Sequence, residues 1–405
     1  MLPPLRTVEA GLRRVTEALA AELAQPGTPT PRWNPVEWRL ASAAAVAHGV
    51  SPLLDRSCRW QHLAWQRFLR DQRVQVEHRQ RRIAALLGSI DGEARAAGFP
   101  VVPLKGSALH AAGLYAPGDR PMADIDLLVH EADSAPAIGM LQALGYVESY
   151  AQWKHRVFKP VGSSPLASLG EHRDTPVTIE LHVRIQERLP VRTVDITEQV
   201  MPRDAAPGTN DYASLAALMG HLLLHAAGGI CGRNLRLMHL HDIALLSRQM
   251  RPADWDALCA WHDGAAPWWA LPPLRLAERY YGGAVPPALL HRLARKCPLL
   301  LRALSRRQDM TRVSCSGLWL QPLAGLEWAR STGDAGAYLR ERIRPSRETV
   351  REREDMLRTQ LWLQGQDWVR MSHRRRVLRW LARPVPRMDT LYVVRAAMES
   401  RALAS

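Results

Sequence analysis

The stretch Arg120-Pro-Met-Ala-Asp124-Ile-Asp126-Leu-Leu-Val129 decides the fold. It alternates polar and apolar residues through Asp126 and then becomes wholly apolar, which is typical of a strand that enters the centre of a sheet. Side chains two apart in a strand share a face, so Asp124 and Asp126 point to the same side while Ile125 points into the core. Two carboxylates this close repel each other unless a cation offsets their charge. The alternative is an edge strand with two solvated aspartates.

The segments before and after this stretch add polar groups that we expect on the same side of the sheet. A short β-branched run ends at Lys105-Gly106-Ser107, where a helix begins, and such a turn presents N–H groups and a hydroxyl to an anion. Further on, residues 177–183 alternate cleanly, with Glu180 and His182 on one face. Glu180 either completes a three-carboxylate cluster suited to magnesium or is a solvent-facing glutamate.

The periodicity of the flanking sequence predicts an α+β unit between two helical regions. Weaker strands are expected near 145–151 and 154–160, followed by a loop at 161–176. Helices are expected over most of 1–98, with Asn34 as an N-cap and a long helix from about 59 to Gly98. After about 210 the sequence favours helices to its end. We therefore expect three parts, at 1–98, 99–200 and 201–405.

Composition limits the class of protein. Of the 405 residues 47% are hydrophobic, enough for a sizeable core, and the five cysteines are far apart, so neither a disulfide framework nor a zinc ribbon is expected. The N-terminus has no signal-peptide pattern, and charged side chains should interrupt the long apolar runs, which predicts no membrane-spanning helix and a cytoplasmic location.

The formal net charge of +15 is compatible with a nucleic-acid partner, but only four of the 54 basic residues are lysines. Such a skew indicates a coding bias toward arginine more than selection for phosphate binding, so we consider nucleic acid an unlikely partner. The basic run at 373–376 is compatible with a solvated helix face or with an anion-binding face.

Two sets of histidines in the C-terminal region need separate interpretation. His221 and His225 lie four apart on an expected helix, but the glutamate of a zinc helix is missing, which favours a packed core pair. His239, His241 and Asp242 either line the same cleft as Glu180, or Asp242 is buried and acts as a cap or pairs with Arg236.

Together, the Gly-Ser turn, the Asp-Ile-Asp strand and the later Glu180 resemble the nucleotidyltransferase fold of the DNA polymerase beta superfamily. More narrowly, the chain resembles an uncharacterised bacterial nucleotidyltransferase family. It departs from the superfamily pattern in the long gap from Ser107 to Asp124 and in having Glu180 where Asp is usual. The narrower resemblance extends over nearly the whole chain, at Trp38, Ala47-His48-Gly49-Val50, Leu104-Lys105-Gly106, Tyr115, Ile179-Glu180-Leu181-His182, Leu222-Leu-Leu-His225, Arg236, Asp242-Ile243, Tyr338 and Arg344-Pro345-Ser346.

The resemblance implies a small mixed-sheet nucleotidyltransferase core and a transfer of a nucleoside monophosphate from a nucleoside triphosphate, with release of pyrophosphate. It implies two magnesium ions, or manganese, and an acceptor that is a small molecule or peptide related to natural products or glycans. Three alternatives remain open: sugar transfer from a nucleotide-activated donor, a non-catalytic nucleotide- or peptide-binding protein, and modification of RNA or DNA ends. The implied sites are Asp124, Asp126 and Glu180 for metal and catalysis, Lys105, Gly106, Ser107 and Arg120 for phosphates, and His182 for a substrate contact.

Overall fold

The architecture comes from a computed structural model, which describes residues 5–163, 169–261, 267–314 and 323–347. It also describes short pieces at 317–318, 349–350, 371–372, 374–375, 378, 385–386 and 394. Part of the basic run at 373–376, and most of the C-terminal segment that was expected to be helical, lie outside the described residues.

Four helices form the N-terminal region, as the sequence predicts. The N-cap is confirmed, because Asn34 Oδ1 accepts hydrogen bonds from the N–H groups of Val36 and Glu37. The Glu37 carboxylate in turn accepts a hydrogen bond from the Asn34 N–H. The long helix starts later than the expected residue 59, because the His62 side chain caps it, and it ends at Gly98 with φ of 79°. The helices are α1 (Leu5–Ala24), α2 (Pro35–Ala47), α3 (Ser51–Ser57) and α4 (Leu63–Ala97).

The central part is a mixed six-stranded sheet in the order β3-β4-β5-β2-β1-β8. β2 pairs in parallel with β5, β1 pairs in parallel with β8, and the other pairs are antiparallel. The α+β prediction is thereby confirmed. Its elements are β1 (Pro100–Pro103), α5 (Gly106–Ala111), β2 (Asp124–Leu128), α6 (Ser134–Ala143), β3 (Tyr146–Ala151), β4 (Arg156–Pro160), β5 (Thr178–His182), β6 (Gln186–Leu189), β7 (Arg192–Asp195), α7 (Thr197–Val200) and β8 (Gly208–Thr209).

β2 is a central strand, between β1 and β5, so the edge-strand alternative is wrong. Its register sets Asp126 beside Glu180 and Leu128 beside His182. The opposite face of the sheet packs on α4 and α6, in a core that contains Ile125 and Leu127. The face that carries the two aspartates is therefore turned away from α4 and α6.

Three strands of the central part were not predicted. β6 and β7 form a separate hairpin whose Leu189 and Val194 are buried in the helical core. β8 extends the main sheet with residues beyond 200, and Asp91 of α4 accepts hydrogen bonds from Thr209 to hold it. The sheet thus takes its sixth strand from the segment that leads to the C-terminal helices.

The described C-terminal part is helical apart from a short pairing of β9 (Gly317–Leu318) with β10 (Val385–Pro386). One described helix, α8, is long and apolar enough to span a membrane, and 67% of that stretch is buried inside the protein. The expectation that charges interrupt every long apolar run is wrong for α8, because a helix buried on most sides needs no polar face. The helices are α8 (Leu215–Gly232), α9 (Leu237–Ser247), α10 (Pro252–Cys259), α11 (Leu271–Tyr280), α12 (Pro287–Lys296), α13 (Leu299–Ser305), α14 (Met310–Ser314) and α15 (Thr332–Ile343).

Candidate active site

A cavity of about 750 Å³ lies over the carboxylate face of the sheet, closed on its far side by residues of α8, α9 and their connection. It brings together seven of the eight residues that the sequence singles out, and His182 lies directly beside it, bonded to Asp126. From the sheet side the cavity is lined by Lys105, Gly106, Ser107, Arg120, Asp124, Asp126, Lys154 and Glu180, and from the helical side by His225, Asn234, Arg236 and His239.

Among the three carboxylates of the site, Asp126 makes the strongest contacts with other side chains. Lys105 Nζ and His182 Nε2 each lie 3.0 Å from its Oδ1. Burial alone would raise the pKa of Asp126, but the Lys105 ammonium and the hydrogen bond from His182 outweigh it and hold the pKa well below its usual range. The same attraction raises the pKa of Lys105 despite its burial, so this pair is ionised.

Asp124 and Glu180 lack such a cationic partner. Burial, together with the charges of Asp126 and Glu180, raises the pKa of Asp124 to about 7. The Glu180 carboxylate lies 3.3 Å from His155 Nδ1 and 3.8 Å from His182 Nε2. The face therefore carries more negative charge than the protein neutralises, which is the condition for binding divalent cations.

The turn at Lys105 has a strained backbone that the helical region supports. Lys105 has a φ of 48°, unusual for a residue with a side chain, and its N–H donates to the hydroxyl of Tyr212 at 3.0 Å. Tyr212 Oη in turn lies 2.8 Å from Nδ1 of His221. Burial holds the pKa of His221 well below its usual range, so the ring is neutral and its Nδ1 accepts a hydrogen bond from the Tyr212 hydroxyl. The expected packing role of His221 thus includes positioning the turn.

Gly106 and Ser107 follow this turn at the cavity wall. A Cβ on Gly106 would lie 2.2 Å from Arg120 Nη1 and 2.7 Å from Met122 Sδ, so no larger residue fits without displacing these atoms. The Ser107 hydroxyl is buried and makes no hydrogen bond within the described structure, and the residue lines the cavity. An unsatisfied buried hydroxyl is costly, and a ligand in the cavity would satisfy it.

Arg120 is joined to the helical domain. Its Nε and Nη2 donate to the two carboxylate oxygens of Asp242 at 2.9 and 2.8 Å, and the hydroxyl of Tyr115 donates to the same carboxylate at 2.6 Å. The interpretation that Asp242 pairs with Arg236 is therefore wrong. Only Nη1 of Arg120, which lies against Gly106, is left to contact a ligand.

The remaining charges around the cavity can be paired almost completely. Lys154 lies 2.6 Å from Glu187, and Glu171 lies 3.0 Å from Arg79 of α4. Among the described residues that line the cavity, the one cation without an ion pair is the exposed Arg236, at the start of α9. The cavity thus contains two carboxylates without a cationic partner, Asp124 and Glu180, and one guanidinium without an anionic partner, Arg236.

The sequence reasoning missed Arg236 and His155 as site residues. Arg236 was named only as a position of the family resemblance and as a partner for Asp242, and His155 lies directly before the short strand β4 with no local pattern to single it out. The available signal was indirect, because His155 falls within the weak strand expected near 154–160.

The family model described as uncharacterised nucleotidyltransferase matches residues 34–264. The chain belongs to this family. The match begins at the Asn34 cap and includes every residue that lines the cavity. The protein is therefore a transferase of nucleotidyl groups, and its family implies a nucleotide substrate. No curated protein and no solved structure gives a match.

Proposed function

We propose that this nucleotidyltransferase moves a nucleoside monophosphate from a magnesium-bound nucleoside triphosphate to a hydroxyl or phosphate of a small molecule or peptide. One observation carries the proposal: the same cavity contains two carboxylates without cations, Asp124 and Glu180, and a guanidinium without an anion, Arg236. A triphosphate with its divalent cations matches both needs at once.

Asp124, Asp126 and Glu180 fit magnesium, because carboxylate oxygens are the ligands that hard cations prefer. The raised pKa of Asp124 supports this assignment, because a bound cation would offset its two causes, which are burial and the negative charges of Asp126 and Glu180. Magnesium bound there, or manganese in its place, supplies charge neutralisation for the triphosphate and for the pyrophosphate that leaves.

The phosphate contacts would come from the turn after Lys105 and from the start of α9. Ser107 offers its unpartnered hydroxyl, Gly106 allows close approach of the backbone, and Arg236 offers an unpaired guanidinium. The phosphate role implied for Arg120 stays a prediction that Nη1 alone would fulfil. Lys105 contributes positive charge next to the carboxylates, although its ammonium is engaged by Asp126.

The transfer forms one P–O bond and breaks another. An acceptor oxygen attacks the α-phosphorus, the bond from that phosphorus to the bridging oxygen breaks, and pyrophosphate leaves with the electron pair. We assign the acceptor's proton to Glu180, because it lies on the strand next to Asp126 without a cationic partner. The acceptor would enter from the helical side, where His225, Asn234 and His239 line the cavity.

The experiment is a thermal-shift panel with magnesium and each of the four common nucleoside triphosphates. A ligand at a hundred times its dissociation constant stabilises the native state by about 2.7 kcal/mol, which is a readable shift. We expect a magnesium-dependent shift with the wild type and none with the Asp124→Asn/Asp126→Asn double variant. Arg236→Gln should weaken the shift, and Arg248→Gln, an exposed arginine outside the cavity, should keep it.

Other outcomes would favour the alternatives. A shift with sugar nucleotides but with no triphosphate would favour sugar transfer. Once an acceptor is known, full turnover by Glu180→Gln would contradict its role as base, and binding without turnover in the wild type would indicate a non-catalytic protein. Affinity for RNA or DNA that falls steeply with salt would support end modification instead.

A further inference from the structure

Two imidazoles and a carboxylate meet beside the aspartates. His155, at the start of β4, faces Glu180 and His182 of β5, and their ligand atoms all lie within 4.8 Å of one another. The two imidazole rings are edge to face with centroids 5.0 Å apart. All three residues are buried or half-buried, so the cluster is not an accidental meeting of surface side chains.

The separations of the two histidine nitrogens from Glu180 are close to those between ligand atoms around a metal ion. Bonds of about 2.1 Å place neighbouring ligand atoms about 3.0 Å apart in an octahedral site and about 3.4 Å apart in a tetrahedral one. Here His155 Nδ1 lies 3.3 Å and His182 Nε2 lies 3.8 Å from Glu180 Oε2. Asp126 Oδ1 lies 3.0 Å from the same His182 nitrogen, in position to be a fourth ligand.

The Nδ1 atom of His155 has no other evident structural role. It is buried and, despite its distance to Glu180, makes no hydrogen bond in the described structure. An imidazole nitrogen that faces a carboxylate without a hydrogen bond to it is in position to be a metal ligand once it is unprotonated.

The donor set decides the class of metal. Magnesium takes oxygen ligands and rarely imidazole, whereas two histidines and one carboxylate are a common set for zinc, cobalt and related ions. We propose that His155, Glu180 and His182 bind a divalent first-row transition metal, next to the oxygen site formed by Asp124 and Asp126. Binding displaces the proton that His182 Nε2 now shares with Asp126.

This inference shares Glu180, and Asp126 as the fourth ligand, with the proposed magnesium site and to that extent rests on the proposed function. The test therefore measures metal binding without nucleotide. Cobalt(II) titrated into the full chain should give intense visible absorption bands, typical of four or five ligands that include imidazole, and dialysis against zinc(II) should give one tightly bound ion. A hundredfold excess of magnesium should displace neither ion.

The matched variants are His155→Ala and the size-conserving His155→Gln, with the exposed His130→Ala as control. Both His155 variants should lose the cobalt bands and weaken zinc binding at least about tenfold, whereas His130→Ala should match the wild type. The inference is overturned if His155→Gln binds zinc as the wild type does, or if magnesium displaces cobalt. Such a result with the magnesium–triphosphate shift intact would leave the proposed function standing. Loss of that shift with zinc binding intact would contradict the proposed function and leave the transition-metal site standing.

Discussion

Gly106 is the position where a single methyl group should matter most. Glycine has no Cβ, and the side chains of Arg120 and Met122 lie where a Cβ at this position would be. We expect Gly106→Ala to lower the free energy of unfolding by about 1–3 kcal/mol, the usual cost of overpacking. Chemical denaturation measures it.

The control for this substitution is Gly92→Ala, in the interior of α4. Nothing lies within 4 Å of a Cβ at that position, so alanine should be neutral or stabilise the protein by about 0.5–1 kcal/mol through helix propensity. Equal effects of the two substitutions would contradict the packing argument for Gly106.

Arg120 and Asp242 form a buried bidentate ion pair, with side-chain exposures of 6% and 1%. Removing one partner leaves the other charged and buried, which costs about 3–5 kcal/mol, whereas removing both costs less. Arg120→Met and Asp242→Asn should therefore each destabilise the protein strongly, and the double variant should be more stable than either single one. Asparagine keeps an acceptor for the Tyr115 hydroxyl.

Urea unfolding of the wild type, the two single variants and the double variant completes this cycle. Losses that simply add in the double variant would show that the two residues act independently. In that case Arg120 would not be the link between the sheet and the helical domain.

At the scale of elements, α4 holds the two strands of the site in place through Arg79. This side chain is almost fully buried and donates to the carbonyl oxygens of Met122 and Ala123 before β2, and of Thr175 and Pro176 before β5. One guanidinium thus fixes the entry of both strands that carry the carboxylates. No local pattern in the sequence of α4 distinguishes Arg79 from the other arginines of that helix.

We expect Arg79→Met to lower the free energy of unfolding by about 3 kcal/mol or more, because it leaves several buried carbonyl groups and Glu171 without their donor. Arg81→Met on the same helix removes only an exposed contact to Glu77 and should change stability by less than about 0.5 kcal/mol. Guanidinium unfolding of the two variants decides between this role and a surface role for Arg79. A loss no larger than that of Arg81→Met would refute the link.

The elements that the sequence predicted correctly are those with a local signal. β5 alternates over five residues, β2 alternates through Asp126 before its apolar end, and α2 has a complete capping box, so short-range patterns suffice for them. β8 has only Gly208 and Thr209, and β6 has a single buried residue, so both depend on partners distant in the chain. The same division holds for the site: the carboxylates lie on patterned strands, whereas Arg236 and His155 reach it only through tertiary packing.

At the scale of the whole molecule, His48 connects the N-terminal helices to the C-terminal ones. It follows α2, its ring is fully buried, and Nδ1 accepts the N–H of Leu237 at 3.3 Å while its carbonyl oxygen accepts the N–H of Met238. These contacts fix the start of α9, directly after Arg236. The position of the proposed anion contact therefore depends on a histidine nearly two hundred residues earlier in the sequence.

This arrangement makes the protein sensitive to acid. Burial lowers the pKa of His48 to about 3, and burial likewise lowers those of His239 to about 3 and His241 to about 4. The unfolded chain binds a proton at each near pH 6.5, whereas the folded protein does not. Their contribution to stability is thus complete above pH 6.5 and declines as the pH falls toward 4, by about 1.4 kcal/mol per pH unit for each group.

His48→Gln isolates one of these contributions, because glutamine keeps an acceptor and does not titrate. Between pH 6 and pH 4 the slope of unfolding free energy against pH should be smaller than in the wild type by about one proton, or about 1.4 kcal/mol per unit. His291→Gln, at an exposed position, should leave the slope unchanged. Comparing slopes removes any loss that the substitution causes at every pH, so an unaltered slope in His48→Gln would mean that the folded protein protonates His48 as readily as the unfolded chain does.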